Sequence, residues 1–302
     1  MSNIKTSDLL QPLGVETFAQ QYLAKRAVYM PGDASRLEGL LTRERFFHLI
    51  DNPKADVFIG NVDPEGRFHQ FIIPNKRASS MLACGFSLQV EELHLLDSRL
   101  MEVANRLRED LGLYPAMEAA ALLSPPSKGY PIHMDPNPDV WILQISGEKR
   151  WRFSRKPATP WPLSWAMATP TAAWGGDPWE ALEKPGDHDF EEAMMTPGDI
   201  LYFPGGTWHT TEATEESLSV ILANVNSTWV DFFFEELREK LLPNPAWRYI
   251  PPTANSSMLD VLQKRYEEMT EVVGALDPKE LIQKLESRRL LRRKGAYRQS
   301  EK

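Results

Sequence analysis

A chain of 302 residues with 42% hydrophobic and 25% charged residues has the composition of a soluble globular protein, enough for one large domain and an appendage or for two modest ones. Its net charge of −8 argues against nucleic acid as the partner, because phosphate binding shows as a basic excess. Cys84 is the lone cysteine, so internal disulfides and cysteine-built zinc fingers are excluded; with no export-type N-terminus and no run of about 18 apolar residues, the expectation is a cytoplasmic protein away from membranes.

In chain order, Val15 through Tyr22 and Leu23 has helical spacing, and Ala27 to Met30 starts a strand that Pro31 ends. Thr42 to Ile50 reads as a second helix, with Thr42 as its cap and Phe46, Phe47 and Ile50 as its apolar stripe. Two strands follow, Asp56–Val62 and Arg67–Ile73, joined by the turn Asp63-Pro64-Glu65-Gly66. Ser87 to Leu111 is expected to be one long amphipathic helix, with Val90, Leu93, Leu96, Leu100, Val103, Ala104 and Leu107 along one side. Its His94 has no partner spacing and reads as a packed or exposed histidine. Met117 to Ser124 returns to strand character.

The chemistry gathers after Pro131. His133 and Asp135 stand two residues apart, so in an extended strand both point the same way. The apolar run Val140–Ile145, the turn Ser146-Gly147 and the run Lys149–Phe153 then read as a β-hairpin. Lys149 shares parity with Trp151 and Phe153, while Arg150 and Arg152 face the other way. An ammonium on an apolar face is costly to bury without an anionic partner. Residues 157–189 form an irregular insertion containing Trp161, Trp165, Trp174 and Trp179, either a substrate-facing rim or the cover of a secondary core. His188 within it has no partner spacing.

Downstream, Pro197-Gly198-Asp199 is a turn, Ile200–Phe203 a short buried strand, and Pro204-Gly205-Gly206 a second turn that leads to His209. Two histidines and one carboxylate offer three ligands on one side of a metal ion. Such a set favours non-haem Fe(II) and oxygen chemistry over a closed structural zinc site. From Ser217 to Val225 the chain alternates, with Leu218, Val220, Leu222 and Asn224 on one face; an asparagine there requires a hydrogen-bond partner.

The remainder is helical. Trp229 to Leu237 is too apolar to stay exposed, prolines 243, 245, 251 and 252 mark a linker, and Ser257 to Ala275 has helical spacing. Asp277-Pro278-Lys279-Glu280 is a helix start. The basic stretch Arg288–Lys294 reads as a solvated tail, the alternative being contact with RNA or an acidic surface.

Three motifs taken together resemble the JmjC-type cupin dioxygenases. They are His133-X-Asp135, then Leu-Gln-Ile-X-Gly-Glu-Lys149-X-Trp, and Pro-Gly-Asp-Ile-Leu-Tyr-Phe-Pro-X-Gly-Thr-X-His209. The ribosomal-oxygenase-like protein hydroxylases are the nearest subgroup, and the asparaginyl hydroxylase that inhibits hypoxia-inducible factor is a more distant relative. The likeness is firm over residues 131–225 and loose before them. It implies a double-stranded β-helix (cupin or jelly roll) with flanking helices over residues 1–228, and a C-terminal helical region, 229–302, that serves as a dimerisation element. It makes His133, Asp135 and His209 the Fe(II) ligands and the catalytic centre, and Lys149 the residue that pairs with the distal carboxylate of 2-oxoglutarate. Asn224 resembles the asparagine that holds the keto-acid end of that cosubstrate. The link Pro136-Asn137-Pro138 is one residue longer than the family's usual one.

The activity implied is hydroxylation, with O2 and 2-oxoglutarate, of an amino-acid side chain in a protein or peptide. Two alternatives stay open: a small molecule or biosynthetic peptide as substrate, and a non-catalytic metal-binding cupin. Demethylation of lysine is chemically open to the same centre. A homodimer through the C-terminal helices is expected, the alternative being that they pack on the barrel.

Overall fold

Strands interspersed with short helices occupy the chain as far as Asn224. The computed structural model describes residues 4–62, 68–114, 116–168, 173–175, 182, 185–225, 227–250 and 257–287. It divides into two units, Met1–Asn226 and Ser227–Lys302. In the first, α1 (Thr6–Leu9), α2 (Val15–Gln21) and β1 (Val28–Met30) precede α3 (Arg43–Ile50), which begins where the Thr42 hydroxyl accepts a hydrogen bond from Arg45 N. Next come β2 (Val57–Val62), β3 (Phe68–Ile73), α4 (Ala78–Ala83), β4 (Ser87–Val90), α5 (Ser98–Leu111) and β5 (Met117–Ser124). The unit continues through β6 (His133–Met134), β7 (Asp139–Ser146), β8 (Lys149–Ser154), β9 (Ala166–Ala168) and β10 (Ala173–Gly175). It ends with β11 (Phe190–Met195), β12 (Ile200–Pro204), β13 (His209–Ala213) and β14 (Ser217–Asn224).

These strands form two antiparallel sheets. The larger has the order β1-β12-β7-β14-β5-β4-β2-β3 and the smaller β10-β9-β6-β13-β8-β11. Parity decides what each face meets. Val140, Ile142, Leu201 and Phe203 of the larger sheet pack against Trp151, Phe153, Ala193 and Met195 of the smaller, closing an inner layer. Residues of the opposite parity, among them Trp141, Leu143, Tyr202, Leu218, Val220 and Leu222, turn outward into a core with Phe18 of α2, Phe46 of α3 and Leu100, Val103 and Leu107 of α5. The result is the cupin-like double-stranded β-helix with helices on its outer face, as the motifs implied.

Three expectations need correcting. The stretch 87–111 is not one helix: β4 occupies Ser87–Val90, and α5 starts only where the Asp97 carboxylate accepts from Arg99 N and Leu100 N. Nor do β7 and β8 form a hairpin. β7 pairs with β12 and β14, whereas β8 pairs with β11 and β13, so the chain passes from one sheet to the other at Ser146-Gly147. Gly147 has φ +68°, and a Cβ there would lie 2.0 Å from the Glu216 carbonyl oxygen. The crossing is held by buried Gln144, whose Nε2 donates to the carbonyls of Ser146 and Gly147 and to Ser217 Oγ, while its Oε1 accepts from Ser219 Oγ. Finally, the insertion is not irregular throughout, since its β9 pairs with β6 at His133↔Met167 and Met134↔Ala166.

The second unit contains α6 (Trp229–Leu241), α7 (Met258–Gly274) and α8 (Pro278–Ser287). Thr228 and Asp231 cap α6 reciprocally, Ser257 caps α7, and Lys279 N donates to Asp277 Oδ1 at the start of α8. Glu236 is fully buried and accepts a 2.6 Å bond from Lys284 Nζ. The expectation that α6 is covered holds for Phe232 but not for Trp229, 68% exposed, or Phe234, 65% exposed. The 63–66 turn, Trp179 and the basic tail beyond 287 lie outside the described residues. Among those described, no helix is long and apolar enough to cross a membrane.

Candidate metal centre

His133, Asp135 and His209 converge. Their ligand atoms all lie within 4.8 Å of one another, although two of the residues are separated from the third by most of the barrel. Sheet register explains the meeting: β13 pairs with β6 at His209↔His133, and Asp135 follows directly at the end of β6. The imidazole centroids are 4.1 Å apart, and His209 Nε2 is 3.5 Å from Asp135 Oδ2. His133 Nδ1 sits 2.7 Å from the Pro131 carbonyl oxygen and His209 Nδ1 2.9 Å from that of Thr207. A carbonyl can only accept, so each Nδ1 carries the proton and each Nε2 keeps its lone pair for a metal. Burial, and then the neighbouring His133, push His209 down to about 4, against the opposing pull of Asp135. It is therefore neutral near pH 7.

Close backbone approach keeps β13 beside the segment before His133. Tyr130 N donates to Thr211 Oγ1 and Thr211 N to the Tyr130 carbonyl, and a Cβ on Gly129 would fall 1.7 Å from the Thr211 carbonyl oxygen. Tyr130 also places its ring 5.7 Å from that of His133 and donates its hydroxyl to Gln89 Oε1.

Lys149 opens β8 with its side chain directed into the inner layer, fully buried. Its Nζ donates to Ser124 Oγ at 3.0 Å and lies 5.9 Å from the Trp151 ring centroid; no carboxylate pairs with it among the described residues. Desolvation alone pushes it down to about 7. Trp151, whose ring is 5.9 Å from that of His209, has a buried Nε1 without an acceptor. The inner layer thus holds donors in want of an anion. Ser124 and Tyr130 were not singled out in the sequence; inward parity along β5 was the available signal for the former.

Asn224 is not brought to this centre. On β14 it shares the face of Leu218, Val220 and Leu222, which pack in the outer core, while Ile221 and Ala223 face the inner layer. Its side-chain amide N–H donates to Asp139, and its buried Oδ1 has no partner among the described residues. Its face on β14 is the opposite of the one expected of a residue at the cosubstrate's keto-acid end. Asp139 is itself buried, and that burial raises its pKa against the hydrogen bonds from Tyr202 and Asn224.

Residues 95–232 match the JmjC domain family. An uncharacterized protein of Bacillus subtilis (strain 168), YxbC, is 23% identical over 303 residues, covering 92% of this chain and 90% of its own. The bifunctional lysine-specific demethylase and histidyl-hydroxylase NO66 of Drosophila mojavensis is 27% identical over 80% of this chain, which spans only 27% of that larger protein. Among solved structures, YcfD, a ribosomal oxygenase from Escherichia coli in complex with cobalt and 2-oxoglutarate, superposes with a TM-score of 0.58 at 19% identity, over 87% of this chain and 67% of its own.

Proposed function

We propose that this chain, which carries a JmjC domain and is related to the ribosomal oxygenases, is an Fe(II)- and 2-oxoglutarate-dependent oxygenase that hydroxylates an amino-acid side chain in a protein or peptide. One observation carries the reading: a His-Asp-His cluster and a buried ammonium without a carboxylate partner share the inner layer of one barrel. His133, Asp135 and His209 would hold the metal through two neutral imidazoles and one carboxylate, a donor set that leaves further coordination positions open. Lys149, with Ser124 beside it, would pair with the distal carboxylate of 2-oxoglutarate; the unpartnered Trp151 N–H is a further donor in the same layer. When bound, Fe(II) and 2-oxoglutarate supply the oxidative chemistry that uses O2 and yields succinate and CO2. The protein's own share is to orient the ligands, neutralise the cosubstrate and keep the surroundings apolar, as Phe203 does with its ring 4.4 Å from that of His209.

The test is reconstitution of the purified chain with Fe(II), 2-oxoglutarate and O2, followed by mass spectrometry of candidate ribosomal-protein peptides. Succinate formation coupled to the gain of one oxygen atom supports the reading. A chain that takes up no ferrous iron overturns it, and an iron-loaded chain that never consumes 2-oxoglutarate leaves the non-catalytic cupin in its place. A small-molecule substrate is the second reading. It is favoured by the exposed Trp161 and Leu163 on the insertion, whose start is tied to the metal-bearing turn by Ala158 N donating to the Gly206 carbonyl. Oxygen gain on metabolites and not on peptides would select it. We also propose that the chain is a cytoplasmic homodimer, the dimer resting on the apolar surface that α6 and α7 expose.

A further inference from the structure

Asp135 and His209 each stand where the chain changes sheets. Residues 135–138 lead from β6 in the smaller sheet to β7 in the larger, and residues 205–208 lead back from β12 to β13. The two crossings run side by side. Gly206 N donates to the Asp135 carbonyl at 3.0 Å, and Gly205 N to the Pro138 carbonyl at 3.0 Å. A Cβ on Gly205 would lie 2.5 Å from the Asn137 carbonyl oxygen, so contact this close requires glycine. The Asp135 carboxylate, by contrast, has little to steer it. Among the described residues its polar neighbours are its two fellow ligands, His209 with Nε2 at 3.5 Å and His133, all three ligand atoms lying within 4.8 Å of one another. Its place is therefore set by the backbone of the link, and the link is fixed at its far end.

That end is Asp139, the first residue of β7, opposite Pro204, the last of β12. Its buried carboxyl accepts from the Tyr202 hydroxyl at 2.5 Å and from the Asn224 side chain. Tyr202 Oη in turn accepts from Ala24 N at 2.7 Å, and Asn137 Nδ2 donates to the Asn224 carbonyl at 3.1 Å. A link one residue longer than the usual one is thus tied to β12, to β14 and to the segment after α2. None of these contacts touches the ligand atoms.

We infer that Asp139 is a positioning residue for the metal ligand Asp135, acting through the 135–139 link and held in turn by Tyr202 and Asn224. The inference rests on the metal-centre reading. It also explains Asn224, whose amide serves this clamp instead of a cosubstrate. The unpartnered Asn224 Oδ1 adds a discriminating consequence: an amide at 139 could donate to it once the Asn224 amide turns over, so the clamp survives Asp139→Asn but not Asp139→Ala.

The experiment is Co(II) titration of the full chain without cosubstrate, read by cobalt absorption and calorimetry, well below the apo melting temperature of each variant. D139A is expected to bind Co(II) about ten-fold more weakly than the wild type with an altered ligand-field spectrum, and D139N to stay within about two-fold with the spectrum restored. A merely structural Asp139 would lower the apo melting temperature and leave affinity and spectrum alone; that result for D139A overturns the inference, as does a D139N that binds no better than D139A. Should D139A fail to fold, Y202F decides, since it removes one donor and keeps the ring: weaker binding supports the clamp, and wild-type binding overturns it. A wild type that takes up no cobalt sinks the metal-centre reading itself and this inference with it, whereas wild-type uptake with unaffected variants sinks only the latter.

Discussion

A lysine that must be charged to hold its ligand, yet is pushed down to about 7 by burial, gives the site a definite pH dependence. The unfolded chain keeps this proton up to the ordinary value of 10.5, while the folded chain releases it near 7. Stability of the ligand-free protein therefore rises with pH across that window through Lys149, and below it the cost of the buried charge is fully present. An anion bonded to Nζ favours the protonated form, so 2-oxoglutarate binding takes up a proton once the free lysine is neutral. Calorimetry with Mn(II) is expected to show affinity falling by up to about ten-fold per pH unit above about 7. Lys149→Ala is expected to weaken binding by about ten- to hundred-fold and to abolish that slope. An unchanged affinity would remove Lys149 from the cosubstrate site. His133→Ala and Asp135→Ala are expected to end succinate formation while circular dichroism stays that of the wild type. The inward lysine was legible because parity with Trp151 and Phe153 is a local property. Asn224 was not, for a related reason: alternation says which residues share a face, but a strand buried on both faces gives no sign of which one looks into the barrel.

At the scale of elements, turns and caps were legible where their chemistry is short-range. Thr42 at α3 and Pro197-Gly198-Asp199 before β12 act where the sequence put them. Pairing was not legible. Ser146-Gly147 signals a reversal, yet nothing local states whether β8 returns to β7 or crosses to the other sheet; Gln144 and the serines of β14, seventy residues away, decide it. Likewise the apolar residues from Ser87 to Leu111 fit a helical stripe, but β4 pairs with β2 and β5, and tertiary pairing overrides the local pattern. The turn into β13 offers a test at this scale. Gly206 has φ +80°, and a Cβ there would lie 2.2 Å from the Thr159 carbonyl oxygen. Gly206→Ala is expected to cost about 1–3 kcal/mol in denaturant unfolding and to weaken Co(II) binding as the Asp135 and His209 crossings separate. Wild-type cobalt affinity in a destabilised Gly206→Ala would show that this turn serves stability alone.

For the whole molecule, the barrel followed from the motifs, but the surface of the second unit raises a question that sequence periodicity could not pose. On α7, where the sequence has helical spacing, Leu259 is 72% exposed, with Leu262 and Tyr266 exposed beside it, and α6 adds Trp229, Val230 and Phe234. Apolar surface on this scale is uncommon on a monomer and marks an interaction site. The helices themselves are well specified, with capped starts and an ion pair between buried Glu236 and partly exposed Lys284, so the exposed side chains belong to well-formed helices. A second copy of the chain is the simplest occupant, since it brings the same apolar surface at the same concentration. Sedimentation equilibrium is expected to show a dimer at micromolar concentration. The double variant Phe234→Glu, Leu259→Glu is expected to be monomeric, because two buried carboxylates without partners oppose association. Both positions belong to the second unit and neither is among the metal-centre residues, so Co(II) affinity should stay that of the wild type. A monomeric wild type would refute self-association and leave this surface to another polypeptide.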